Sequence, residues 1–251
     1  MTAATSPRRA RPPLLALIVY TLRSCVPGRW VGIAFTVAAS VLFGLVAAAR
    51  DGTAEDAFAD VATAGLFGLV LPVACLVIGD AVLGAELRAG SFAFTWLSPV
   101  PPWQIAVARW AGGTIVAASI SALAFALAAF AAGAPESAGA VAISAAFGAM
   151  AYIAVFIAIG CIATRAAVWS LAFVFIVERL LGSQLSAIAQ LSPSWEARAA
   201  FLGLVGGQED ALRSGVPSGT AALMRLVLIT AVVLALSANR IRHLRLTGSS
   251  D

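Results

Sequence analysis

The sequence predicts an all-α membrane protein with six transmembrane helices and with both termini in the cytoplasm. Three observations lead to this fold class: an apolar composition, six apolar stretches of helical length and an uneven distribution of arginine. Of the 251 residues, 61% are hydrophobic and only 11% are charged. Soluble domains are about 45–50% apolar and about 25% charged. A water-soluble fold could not bury this many apolar side chains, so the chain is expected to lie in a bilayer.

The apolar stretches have the length of membrane-spanning helices, which need about 20 mostly apolar residues. They lack the alternation that marks the strands of a membrane β-barrel. They therefore predict helices, which satisfy their own backbone hydrogen bonds in lipid. The predicted spans are about 30–49, 61–83, 104–133, 138–164, 167–189 and 220–239, within a single transmembrane domain over residues 1–251.

The positions of arginine predict the orientation, because cytoplasmic segments of membrane proteins carry an excess of basic residues. The sequence contains no lysine, so arginine alone carries this signal. With the N-terminus inside, the charged residues of the outer loops are mostly acidic, and the only arginines there are Arg50, Arg198 and Arg213. The cytoplasmic arginines are Arg8, Arg9, Arg11, Arg23, Arg29, Arg88, Arg109, Arg165, Arg240, Arg242 and Arg245.

Residues 1–29 are predicted to form a cytoplasmic tail followed by an interfacial helix. The apolar run over residues 13–26 is short and is interrupted by Arg23. Pro12 and Pro13 suit the start of a helix, and Pro27 with Gly28 suits its end. Such a helix can place its apolar face at the acyl boundary and its arginines near phosphates. The alternative is a cytoplasmic extension of the first span.

Residues 190–219 form the longest predicted outer connection. Ser194 is a candidate N-cap, Glu196 lies in the turn that follows, and apolar residues come after it. This order predicts a short helix at or in the outer leaflet. A solvated loop is the alternative.

Residues 84–110 interrupt the apolar pattern between predicted spans two and three, on the cytoplasmic side. A short amphipathic helix is predicted over about 85–98, with Leu87, Phe94 and Leu97 on one face. Pro99 ends it, since a residue that precedes proline disfavours the α conformation. Gly90 allows another backbone or side chain to approach closely.

These residues carry a resemblance to the permeases of ABC-2-type exporters. Members of that family often have an E-x-x-x-G-[ST] element between spans two and three, then S-P-[VL] and a basic residue near the start of span three. Leu87 stands where the family often has a second charged residue, and Pro101–Pro102 replace a basic or polar residue. The matching residues here are Glu86, Gly90, Ser91, Ser98, Pro99, Val100 and Arg109.

The resemblance implies that the short helix is a coupling helix that contacts a separate ATPase subunit. It implies an exporter in the bacterial plasma membrane, for a hydrophobic or amphipathic substrate such as a drug, lipid or peptide. Two P-loop ATPase subunits would bind ATP and Mg, and a second permease chain would be identical or homologous. The implied contact residues are Glu86, Leu87, Arg88, Gly90, Ser91, Phe94, Ser98 and Pro99. Alternatively, the aromatic residues of this stretch belong to an interfacial belt.

The residue types themselves indicate no enzyme. A P-loop needs a lysine on the phosphates, and this chain has none. Cys25, Cys75 and Cys161 are scattered, and the single histidine lies in an arginine-rich tail. We therefore predict no catalytic site, metal or cofactor in this chain, and contact with membrane lipids rather than with nucleic acid.

Four charged residues fall inside the predicted spans, namely Asp80, Glu178, Arg179 and Arg225. A charge at mid-bilayer costs about 2.5–3.5 kcal/mol on insertion scales, so such side chains should face protein or a watery cavity. We predict an ion pair between Glu178 and Arg225 across spans five and six. An alternative function is a secondary transporter or ion-coupled channel that uses Asp80, Glu178 and Arg179. The lack of an evident inverted repeat argues against it.

Overall fold

The computed structural model describes ten parts of the chain, and within them it contains helices and no strand. The described residues are 13–25, 30–84, 86, 90–91, 95, 97, 99–163, 166–181, 190–206 and 217–242. We number the described helices of eight or more residues α1 to α8. They are α1 (Pro13–Cys25), α2 (Trp30–Ala48), α3 (Ala54–Val61, continued by Ala62–Val70, Leu71–Gly79 and Asp80–Gly84), α4 (Pro102–Ala131), α5 (Ser137–Gly160), α6 (Ala166–Ala172, continued by Phe173–Leu181), α7 (Pro193–Val205) and α8 (Thr220–Arg242).

Five of these helices are long and apolar enough to cross a membrane. They coincide with the first, second, third, fourth and sixth predicted spans. The fifth, predicted over 167–189, is helical over the described residues 166–181, and its apolar part Ala166–Glu178 is shorter than a span. Because residues 182–189 lie outside the described residues, the fifth predicted span, and with it the total of six, stays a prediction, as do the cytoplasmic termini. The five helices are Trp30–Ala48, Ala54–Val82, Pro102–Ala131, Ser137–Gly160 and Thr220–Arg242.

The second span begins earlier than residue 61, where the apolar pattern places its start. Thr53 caps α3, and its hydroxyl oxygen accepts a hydrogen bond of 3.2 Å from the Asp56 N–H. Glu55 and Asp56 lie in the first turn, where the helix dipole favours negative charge. Acidic residues that suggested an outer loop therefore form the first turns of the helix.

Helices α3 and α5 lie at the centre of the bundle, whereas α2 and α8 are largely exposed on their outer sides. Helix α4 packs along α5 and also contacts α1 and α2. Glycine allows the closest approaches. A Cβ atom on Gly44 would lie 2.3 Å from the Ala128 carbonyl oxygen, and one on Gly148 would lie 2.9 Å from the Ala197 Cβ. Small residues at helix contacts are what membrane bundles use to gain packing energy.

Helix α3 widens into π-helical turns over Ala62–Val70, just before Pro72. Proline has no N–H, and its ring clashes with the carbonyl four residues earlier. Here that carbonyl belongs to Gly68. The wider turns, in which the Leu71 N–H reaches the Leu66 carbonyl, let the span continue past the proline instead of ending there.

The two short helices expected beside the spans are both present. Helix α1 covers Pro13–Cys25, and its Thr21 packs against Gly112 of α4. Residues 26–29 are outside the described part of the chain, so the choice between an interfacial helix and an extension of α2 stays open. Helix α7 replaces the solvated-loop alternative. It begins after Ser192 rather than Ser194, and its Phe201 is buried against Phe58 and Phe67.

Gly44 tests the packing of α2 on α4. We expect Gly44→Ala to destabilise the bundle by about 1–3 kcal/mol, because the new methyl group meets backbone atoms that cannot move aside. Gly139 on α5 is the matched control, since a Cβ there has no atom within 4 Å. Gly139→Ala should leave stability unchanged or raise it by about 0.5–1 kcal/mol. Thermal unfolding of the purified protein in detergent measures both, and equal melting temperatures for the two variants would contradict the packing.

Candidate functional site

The candidate site is a buried ion pair between Glu86 and Arg109, where the end of α3 meets the start of α4. Arg109 Nη1 donates to Glu86 Oε1 at 2.8 Å, and Arg109 Nη2 donates to Glu86 Oε2 at 2.6 Å. The Glu86 side chain is 11% exposed, and the Arg109 side chain is 1% exposed. Two parallel bonds between a guanidinium and a carboxylate fix the relative orientation of the groups as well as their distance.

Further contacts of Arg109 join the pair to three other parts of the chain. Its guanidinium donates to the Val82 carbonyl at 3.5 Å and to the Thr95 hydroxyl at 3.4 Å. Its Cζ lies 5.0 Å from the centre of the Tyr20 ring, on α1, a distance typical of a cation–π contact. The pKa of Tyr20 is raised, mainly by the charge of Glu86 and to a smaller extent by partial burial. Arg109 lowers the same pKa and so opposes the shift. One guanidinium thus connects α1, the end of α3, the 84–101 connection and α4.

The pair changes how the predicted contact residues are understood. The Glu86 carboxylate points inward onto Arg109, so it holds the connection in place rather than offering a free charge at the surface. Both residues belong to the motif recognised in the sequence, but their pairing was not predicted. Their opposite charges at the same end of two consecutive spans are the signal that indicates it.

Gly90 breaks the helix that the sequence predicts over 85–98. Its φ of +68° lies in the left-handed region, and it forms a turn with Ser91, so one uninterrupted α-helix is wrong here. The Ser91 hydroxyl donates to the Glu86 carbonyl at 3.4 Å, and Pro99 is exposed. A Cβ on Gly90 would meet no atom within 4 Å. Leu87, Arg88, Phe94 and Ser98 lie outside the described residues, and contact with an ATPase stays a prediction.

The predicted ion pair between Glu178 and Arg225 is wrong. Glu178 accepts hydrogen bonds from the Tyr152 hydroxyl, from the Ser192 hydroxyl at 2.5 Å and from the Ser194 N–H at 3.5 Å. Arg225 instead lies 3.5 Å from Glu196. The start of α7 lies against Glu178, so hydroxyl and amide donors occupy the position where an arginine was expected.

The other charges that the sequence places inside the membrane do not converge on one site among the described residues. Glu178 lines a cavity of about 160 Å³ together with Thr63, Ser194, Trp195 and Arg198. Asp80 lies in a separate crevice with Phe156 and Ser170. The side chain of Arg179 lies outside the described residues. An ion relay through Asp80, Glu178 and Arg179 therefore has no support from the arrangement of the first two.

The described part of the chain contains no candidate metal site, because no three His, Cys, Asp or Glu side chains cluster there. Cys25, Cys75 and Cys161 are buried, and the structure joins none of them in a disulfide within the described residues. Comparison with protein-family models and with curated proteins finds no match to the chain.

Removal of one partner from the Glu86–Arg109 pair should be more harmful than removal of both. We expect Arg109→Met to cost about 3–5 kcal/mol, because it leaves a buried carboxylate without its cation. The double variant Glu86→Leu with Arg109→Met should recover most of that loss, since two apolar side chains need no partner. Denaturation of the detergent-solubilised protein measures the cycle. Additive losses from the two single substitutions would contradict the pair.

Glu196 should make stability depend on pH. Its side chain is fully buried on α7, and burial raises its pKa from 4.5 to about 7, although Arg225 opposes the shift. Between these values the folded protein holds a proton that the unfolded chain has released, so stability falls as pH rises. Thermal melting at pH 5 and pH 8 should show a lower melting temperature at pH 8, and Glu196→Gln should reduce the difference. An unchanged difference in the variant would refute this assignment.

Proposed function

We propose that the chain is the membrane-spanning permease subunit of an ATP-binding-cassette exporter, located in the plasma membrane of a bacterium. The observation that carries the proposal is the buried Glu86–Arg109 pair. It fixes the polar connection after α3 against α4 and α1, so a force applied to that connection reaches three helices at once. This is the property that a subunit driven from outside the membrane requires.

The same connection offers an attachment point for a separate protein. Gly90 and Pro99 are exposed, as is Leu97, whose side chain is 73% exposed. Beneath them, the inward-facing ion pair supplies a rigid base. Exposed apolar and turn residues on a connection that is held in place are suited to bind in a groove on a partner protein. In the proposed complex this partner is a P-loop ATPase, present in two copies, that holds ATP and Mg.

In this proposal the energy for transport comes from ATP hydrolysis in another chain. A P-loop needs a lysine, and this sequence contains none. The proposed chain has six spans with both termini in the cytoplasm. It pairs with a second permease chain, identical or homologous. The outer sides of α2 and α8 carry exposed apolar side chains, among them Phe35, Leu42, Leu228 and Leu236, which suit contact with lipid or with that second chain.

Affinity purification from native membranes tests the proposal. A P-loop ATPase should copurify with the tagged chain, and the chain separated from it should hydrolyse no ATP. Reconstitution of the separated chain in liposomes is the opposing test. Transport driven by an ion gradient alone, without any ATPase, would refute the proposal and favour the secondary transporter.

Gly90 provides a sharper test of the attachment point. We expect Gly90→Trp to reduce ATPase copurification and substrate-stimulated ATP hydrolysis at least about tenfold, because a bulky side chain would stand on the contact surface. Gly206, at the end of α7, is a matched control. Its φ of +73° is close to the +68° of Gly90, and a Cβ there also meets no atom within 4 Å. Gly206→Trp carries a similar backbone strain and should leave both measurements unchanged. Equal losses in the two variants would contradict the assignment.

A further inference from the structure

A cavity whose wall combines apolar surface with several polar side chains lies beside Glu178, between α3, α6 and α7. Its volume is about 160 Å³, and its walls include Thr63, Gly68, Glu178, Ser194 and Trp195. A cavity of about 150 Å³ is large enough to hold benzene, so this one can hold an organic group of about six heavy atoms. Unlike an apolar cavity, it presents hydroxyl groups and a carboxylate to its contents.

The Glu178 carboxyl group has no cationic partner among the described residues. It is 2% exposed, and its hydrogen-bond donors are the neutral Tyr152 and Ser192 hydroxyls and the Ser194 N–H. No described basic side chain lies within ion-pair distance of it. An uncompensated charge in a membrane protein is costly and commonly marks a substrate or ion site. A cationic group in the cavity would supply the missing partner.

Positive charge lies towards the outer end of the same space. Arg198 lines both the cavity and a neighbouring depression of about 350 Å³, which shares Thr63 and Ala64 with it and adds Arg50 and Asp60. Arg50 is exposed and has no ion-pair partner among the described residues. The Arg198 guanidinium stands 5.2 Å from the centre of the Trp195 ring. The charges facing the joined space are two carboxylates and two guanidinium groups, which sum to zero.

An apolar surface continues from this polar space. Phe43 and Val46 of α2 line the depression, and Val46 is itself 44% exposed. Leu42, one turn earlier, is 61% exposed on the outer side of the same helix. A ligand whose polar end occupies the cavity can therefore lay a hydrocarbon tail along α2.

We infer that this space binds a zwitterionic amphiphile that has a primary ammonium, an anionic phosphate and an apolar tail. The ammonium contacts Glu178 in the inner cavity, and the phosphate contacts Arg50 at the side where Arg198 also lies. Asp60, in the outer depression, disfavours a ligand that is only anionic, as does Glu178. An aminophospholipid has this chemistry. As a binding site, the inference stands independently, but its meaning as a substrate site rests on the proposed export function.

Lipids that differ in one charged group test the site on the purified chain. Dioctanoyl phosphatidylethanolamine has the ammonium, whereas dioctanoyl phosphatidylglycerol has the phosphate alone. Titration followed by native mass spectrometry should give about tenfold tighter binding of the first, the size expected for a charge-assisted hydrogen bond. Glu178→Gln should abolish the preference, because the amide keeps the acceptor but loses the charge. Equal binding of the two lipids by the wild-type chain would overturn the inference.

Control variants separate the site from general surface charge. Asp51 is exposed next to Arg50 and does not line the space, so Asp51→Asn should keep the lipid preference. If Glu178→Gln does not fold, Arg50→Gln tests the phosphate side from an exposed position. It should weaken phosphatidylethanolamine binding about tenfold, whereas Arg242→Gln should not. A lipid preference that survives Glu178→Gln, or phosphatidylethanolamine binding that is unchanged in Arg50→Gln, would refute the site.

A soluble competitor distinguishes a membrane lipid from a free zwitterion. Glycerophosphoethanolamine has the same headgroup without acyl chains and should compete only weakly, since it gains nothing from α2. Competition at equal affinity would overturn the assignment to an amphiphile. All these measurements use the chain without an ATPase. Failure of the lipid tests would therefore contradict the binding site alone, and failure of the copurification test would contradict the proposed export function alone.

Discussion

The Glu86–Arg109 ion pair is the interaction on which the polar end of the bundle depends. Both groups are withdrawn from water, so each is stable there only while the other is present. The pair therefore acts as a single unit that requires the end of α3, the start of α4 and the connection near Thr95 to be in place together. Tyr20 adds α1 to the same unit through the face of its ring. A local displacement of this connection cannot occur without a change in the packing of the helices that it joins.

Two other buried carboxylates, Glu178 and Glu196, hold α7 against α6 and α8, but with different chemistry. Glu196 lies on α7 and contacts the guanidinium of Arg225 from α8. Glu178 lies on α6 and accepts hydrogen bonds from residues at the start of α7. The unpaired N–H groups at the start of a helix favour a negative charge. Glu178 on α6 and Arg225 on α8 thus hold the same short helix, α7, at two different positions. This explains why a segment of only 13 residues, Pro193–Val205, is folded into the bundle rather than lying over it.

The sequence predicts the five long apolar helices well, because the length of each depends on bilayer thickness, a constraint that every segment meets separately. Contacts between spans depend on how each helix is rotated, and composition does not contain that information. Glu178 and Arg225 seemed suitable partners on the basis of depth alone, yet Ser192 and Ser194, at the start of α7, are the residues that bond to Glu178. Gly90 shows a similar limit. Its neighbours have helical periodicity in the sequence, but the left-handed φ of Gly90 does not fit one uninterrupted helix. The Glu86–Arg109 pair was within reach of prediction, because charge sign and membrane end together indicate it.

Helix α3 connects the two polar regions of the molecule. Its last turns lead to Glu86, and its π-helical turns provide Thr63, Ala64 and Gly68 to the wall of the cavity beside Glu178. Gly68 lines the cavity without a side chain, whereas the Phe43 ring packs against Gly65, where a Cβ atom would lie 2.6 Å from it. Pro72 lies between the two regions and cannot form the usual backbone bond, so the helix is less tightly held at that point. In the proposed exporter, a movement that begins at the Glu86 end would follow α3 to the cavity, and the irregular turns before Pro72 are where that movement would change the shape of its wall.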